Sequence, residues 1–76
     1  MLITEAREVA EKELGITEKV SGICYRVCPE IDGWYFWNPV HIEFAMLIDD
    51  EGEKLVSKTR ISYTEHLKNF FKGRRN

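Results

Sequence analysis

The stretch Gly22-Ile23-Cys24-Tyr25-Arg26-Val27-Cys28, carried across Pro29-Glu30-Ile31-Asp32-Gly33 into Trp34-Tyr35-Phe36-Trp37, reads as a β-hairpin. Its first run alternates, with Ile23, Tyr25 and Val27 on one face and Cys24, Arg26 and Cys28 on the other. Proline and then Asp-Gly punctuate the turn, and Asp-Gly between two β-like runs is a strong hairpin signal. The second run is short and aromatic, and Asn38-Pro39 ends it.

Downstream of the hairpin the strand pattern continues. Residues 40–49 form a third expected strand, with Ile42, Phe44, Met46 and Ile48 on one face. Asp49-Asp50-Glu51-Gly52 makes a turn, and residues 53–60 return as a fourth strand. Leu55 and Val56 are the large apolar residues of that strand, and Lys58 and Arg60 suit an exposed edge.

A helix flanks the strands at each end. Around a helix expected over residues 4–14 the apolar residues Leu2, Ala6, Val9, Ala10 and Leu14 recur at helical spacing, with Thr4 as N-cap and Gly15 as the stop. From about residue 63, Tyr63, Leu67, Phe70 and Phe71 form an apolar stripe. Ser62-Tyr63-Thr64-Glu65 supplies a capping box in front of it, and Gly73 ends it. The order α-β-β-β-β-α predicts one α+β domain over residues 1–76. It is an antiparallel meander of three to four strands with both helices laid on one face.

Composition is consistent with that class. At 76 residues the chain makes one domain, and 43% hydrophobic content is enough for a packed core. A net charge of −2 is not the signature of a general nucleic-acid binder. The start, Met1-Leu2-Ile3-Thr4-Glu5, lacks a basic leader region, and no apolar run approaches the roughly 20 residues that span a bilayer. Cys24 and Cys28 share a strand, so their Cα atoms lie roughly 13 Å apart at about 3.3 Å per residue. A disulfide needs about 7 Å or less. The pair is expected to stay reduced, which fits a cytoplasmic setting.

Catalytic and metal chemistry find little purchase. Cys24, Cys28, His41 and His66 are the candidate soft ligands. Zinc sites place a Cys pair in a loop or knuckle rather than along a strand, so neither metal nor other cofactor is expected. A Cys–His–acid set can be drawn from these residues, but no Gly-rich loop or oxyanion motif accompanies it, and the chain is read as no enzyme. Asp49-Asp50-Glu51 surrounds a turn glycine without the spacing of a calcium loop.

Two features point to binding instead. Alternate members of Trp34-Tyr35-Phe36-Trp37 face opposite ways, so one pair lies away from the helix-covered face. That pair either shields the open face or serves as a contact patch, since Trp and Tyr dominate interface hot spots. The charges are also split. Residues 1–53 hold 12 acidic and 4 basic side chains, whereas residues 54–76 hold 1 acidic and 7 basic. The expected cause is mutual neutralisation of the first and last helices across one sheet face. The alternative is an acidic surface and a basic end that steer a partner.

Gly33-Trp34-Tyr35-Phe36 resembles the strand motif of small bacterial YrhB-type immunity proteins of polymorphic toxin systems. The run Phe44-Ala45-Met46-Leu47-Ile48-Asp49-Asp50-Glu51-Gly52-Glu53 resembles their hydrophobic strand and acidic turn, and the helix from Tyr63 to Phe71 resembles their last helix. The resemblance implies a bacterial protein that binds and neutralises a partner protein, a toxin, by occlusion, and it offers no catalytic residues. Trp34, Tyr35, Trp37, Asp49, Asp50 and Glu51 are then the expected contact residues.

Two other readings remain. One is an RNA-binding domain of helix–sheet–helix type. Such domains dock through basic residues at the start of the last helix, where this chain has Ser62-Tyr63-Thr64-Glu65-His66. The other is a dimeric small-ligand binder, for which a homodimer would supply the pocket.

Overall fold

Strand β2 (Gly33–Trp37) lies between β1 (Cys24–Cys28) and β3 (Ala45–Asp49), and β4 (Lys54–Ser57) pairs outside β3. All neighbours are antiparallel and sequential, giving the sheet order β1-β2-β3-β4. Helix α1 (Ile3–Glu13) precedes the sheet and α2 (Tyr63–Phe71) follows it. The computed structural model describes residues 1–15 and 22–76. The α+β class, the meander and the two flanking helices are as the sequence predicts.

The turn between β1 and β2 is a single 3-10 turn, Pro29–Ile31, closed by Asp32 in the left-handed conformation at φ 53°. Aspartate tolerates that region better than most side chains. Gly33 then enters the sheet directly. A Cβ there would collide with the Ile48 carbonyl oxygen, so only glycine lets the strands pair at this point.

The helices do not share a face. Ala6, Ala10 and Leu14 of α1 pack with Phe36, Met46 and Ile48, and Trp34 and Val56 close around them. Phe70 of α2 packs with Cys28 and Leu47, and Tyr35, Leu55, Tyr63 and Leu67 close around these. Phe36 and Tyr35 are adjacent on β2, as Met46 and Leu47 are on β3, so the two clusters lie on opposite faces. The one-face arrangement is therefore corrected to a sheet sandwiched between helices. The cause is in β3: Ala45, Met46, Leu47 and Ile48 are all buried, and a strand apolar at consecutive positions needs cover on both sides. Burying side chains such as Phe36, Met46 and Leu47 contributes about 1.5–3 kcal/mol each.

Other expectations shift in detail. The third strand begins at Ala45 rather than at residue 40. Asn38 turns the chain instead: its Oδ1 accepts from the backbone N–H groups of Val40 and His41 at 2.9 and 3.0 Å. The fourth strand ends at Ser57 rather than residue 60, where Ser57 Oγ donates to the Thr59 carbonyl at 2.8 Å. The N-cap of α1 is Leu2, not Thr4, and Glu5 reaches back to accept from the Leu2 N–H at 3.1 Å. The N-cap of α2 is Ser62 as expected, accepting from Glu65 N at 3.1 Å.

Candidate functional site

A hollow of about 700 Å³ opens on the α1 face at the end of the sheet that carries the β1–β2 and β3–β4 turns. Trp34 and Val27 line it from the strands, and Asp32, Asp49, Asp50 and Glu51 line it from the turns. Among the described residues the only positive group in its lining is the amino group of Met1, which donates to Asp50 Oδ1 and to the Asp50 carbonyl, each at 3.0 Å. Trp34 is half-buried against the α1-side core, while Val27 is 64% exposed. The hollow thus offers an aromatic wall, an exposed aliphatic patch and four carboxylates.

The three acidic residues of the second turn have different tasks. Asp49 Oδ1 accepts from the backbone N–H groups of Glu51 and Glu53, both at 2.9 Å, which fixes the turn. Asp50 and Glu51 are exposed, and Asp50 accepts from the Met1 amino group.

The six residues singled out from the sequence fall into two groups. Trp34, Asp49, Asp50 and Glu51 converge on this hollow. Tyr35 and Trp37 lie on the opposite face, stacked on each other with ring centroids 5.6 Å apart. Tyr35 meets Tyr63 of α2 edge-on at 4.9 Å and His66 at 5.8 Å, so it belongs to the α2 packing. With Arg26 and Ile42, this pair borders a shallower hollow of about 300 Å³. The expected neutralisation between the helices is also replaced. Lys54 of β4 pairs with Glu13 at the end of α1 at 3.4 Å, and Arg75, in the tail after α2, pairs with Glu53 at 3.7 Å.

A polar cluster that sequence reasoning missed lies under α2. Cys28 Sγ is 2.9 Å from Tyr63 Oη, Tyr63 donates to Glu30 Oε2 at 3.2 Å, and the Arg26 guanidinium lies 3.9 Å over the Tyr63 ring. Burial first, and then the hydrogen bond with Cys28, push the Tyr63 phenol up to about 12 against the pull of Arg26. Burial likewise raises the Tyr35 phenol, with Arg26 again opposing. The available signal was the parity of β1, which puts Arg26 and Cys28 on one face. Their partner Tyr63, 35 residues beyond Cys28, follows only from the placement of α2.

His66 is fully buried. Its Nε2 lies 2.8 Å from the Leu55 carbonyl, and a carbonyl only accepts, so Nε2 carries the proton. Nδ1 is then a buried lone pair with no partner among the described residues. Burial lowers the histidine pKa, and the bond to Leu55 partly offsets this. Among the described residues no three His, Cys, Asp or Glu side chains converge to hold a metal ion, and no helix is long and apolar enough to cross a membrane.

No family model matches this chain, and searches of curated proteins and of solved structures return no match to it.

Proposed function

We propose that this chain is a small protein-binding module that works as an immunity- or antitoxin-like inhibitor, occluding a basic partner protein without chemistry of its own. The observation that carries the reading is the hollow beside Trp34. Four carboxylates surround an aromatic wall, and among the described residues no Lys or Arg lines it. A small-molecule pocket is typically a concave, mostly apolar cavity that encloses its ligand. This open, acidic surface suits a cationic side chain of a macromolecule, which gains from the carboxylates and from the face of the indole. Trp34, Asp50 and Glu51 are its contact residues, and Asp49 holds the turn that presents them. The resemblance of residues 33–36, of residues 44–53 and of the last helix to YrhB-type immunity proteins supports the inhibitor role. Cytoplasmic placement suits two cysteines with no disulfide between them.

The test is affinity capture from a lysate with the wild type and with the double charge reversal Asp50→Lys/Glu51→Lys. Both positions are exposed, so the variant keeps its fold. One stoichiometric basic protein, held by the wild type and released by the variant, is the expected result. Recovery of RNA, of a bound small molecule, or equal capture by both proteins overturns the reading.

A further inference from the structure

The hydrogen-bond phase of the sheet fixes which backbone groups β1 leaves open. Asp49 N–H donates to the Glu53 carbonyl at 2.9 Å, so Asp49 and every second residue before it face β4. Asn38 N–H donates to the Phe44 carbonyl at 3.0 Å, so Phe44, Met46 and Ile48 face β2, and Trp34 and Phe36 face β3. Gly33, Tyr35 and Trp37 must then face β1, where their partners are Cys28, Arg26 and Cys24. The two residues left over, Tyr25 and Val27, turn their N–H and C=O groups outward.

The same two residues put their side chains on the α1 face, where Tyr25 is 47% and Val27 64% exposed. Arg26 between them is exposed as well. Among the described residues no strand pairs with this edge. The opposite edge is closed. Val56 N–H donates to Asn76 Oδ1 at 2.7 Å, Asn76 Nδ2 donates to the Val56 carbonyl at 3.1 Å, and Asn76 N–H donates to the Lys54 carbonyl at 3.0 Å. Asn76 imitates a fifth strand at β4, so among the described residues β1 is the edge left to accept one.

We infer that the outer edge of β1 is a strand acceptor, taking an extended, lysine- or arginine-bearing segment of a partner protein through the outward backbone groups of Tyr25 and Val27. This rests on the protein-binding reading above and names its mode, strand addition at a sheet edge. Residues of the incoming strand opposite Tyr25 and Val27 fall on the α1 face. The one beside Val27 lies next to the hollow that Val27 shares with Asp32, Asp50 and Glu51, so a cation there meets the carboxylates. A second copy of this chain complements the site less well. Its β1 offers Tyr25 and Val27 to that face and leaves the carboxylates unneutralised, because Arg26 lies on the other face over Tyr63.

The test uses an acetylated octapeptide of alternating lysine and valine, titrated by amide NMR into the whole chain. Binding is expected to slow amide exchange at Tyr25 and Val27 at least tenfold while leaving β4 unaffected. N-methylation of every second peptide nitrogen, replacement of its lysines by glutamate, and Val27→Pro in the protein should each weaken binding at least tenfold. Proline at position 27 sacrifices an outward N–H and no ladder bond, so the sheet keeps its pairing. The N-methylated peptide gives the same answer without touching the protein. Absence of binding, equal binding of the N-methylated or glutamate peptide, or self-association of the free chain through Tyr25 and Val27 overturns the inference. If a basic protein captured by the wild type is held equally by Val27→Pro, strand addition fails and the inhibitor reading stands. If the wild type captures no such protein, that reading itself fails.

Discussion

The side-chain amide of Asn38 donates to the backbone carbonyl of Leu14 at 2.9 Å, tying the C-terminal end of α1 to the exit of β2. Asn38 is 1% exposed, and its Oδ1 holds Val40 N–H and His41 N–H at the same time. Asn38→Leu should leave three backbone groups short of a partner, two of them amides in the next turn. The expected loss is about 2–4 kcal/mol, since a buried group left unpaired costs about 1–3 kcal/mol. Urea unfolding with an unchanged m-value measures it.

Gly33→Ala is expected to destabilise more than its single added carbon suggests. The new Cβ would collide with the Ile48 carbonyl oxygen and lie 2.6 Å from the Asp49 Cα, and neither backbone atom can give way without breaking β2–β3 pairing. Overpacking typically costs about 1–3 kcal/mol, and a backbone clash belongs at the upper end. A domain of this size loses roughly 4–8 °C in Tm per kcal/mol, which thermal circular dichroism resolves.

Acid should weaken the fold through His66. Its folded pKa lies below the ordinary value of 6.5, so the unfolded chain takes up the proton first. The stabilisation is complete above pH 6.5 and is lost as pH falls from there through the folded pKa. His66→Gln keeps a donor for the Leu55 carbonyl and removes the titration. Its unfolding midpoint should therefore vary less between pH 7 and 5.5 than that of the wild type.

Base should act through Tyr63. With the folded phenol at about 12 and the ordinary value at 10.0, the protonated form is favoured by folding. The stabilisation is present below pH 10 and fades as pH rises toward 12. Spectrophotometric titration near 295 nm should show late-ionising tyrosines, of which the one at about 12 disappears in Tyr63→Phe while Tyr35, also raised by burial, remains. That variant should also lose less stability than the wild type between pH 10 and 12.

The parts of this fold legible in the sequence are those set by local chemistry. Asp32-Gly33 announces the hairpin, Ser62 caps α2, and Asp49 closes the second turn through its own neighbours. The division of the helices between two faces was legible as well, in the unbroken apolar run Ala45-Met46-Leu47-Ile48, but the alternation of Ile42, Phe44, Met46 and Ile48 masked it. The shared face holds for Phe44, Met46 and Ile48, but the strand does not reach back to residue 40, because Asn38 turns the chain before Ala45. Half of the candidate site followed from proximity in sequence, since Asp49, Asp50 and Glu51 are consecutive. The rest needed register: pairing of Trp34 with Ile48 brings the indole to the acidic turn, and the same pairing sends Tyr35 to the other side.

Placing one helix on each side of the sheet also sets the order in which its surfaces are sealed during synthesis. The side built on Phe36 and Met46 has all its parts once Ser57 has been made. The side built on Leu47, Tyr35 and Leu55 must wait for Phe70, whose helix ends fourteen residues after Ser57. At about 5–20 residues per second, that interval lasts about one to three seconds. During it, half of the nascent sheet presents a sticky surface to whatever else is in the cell.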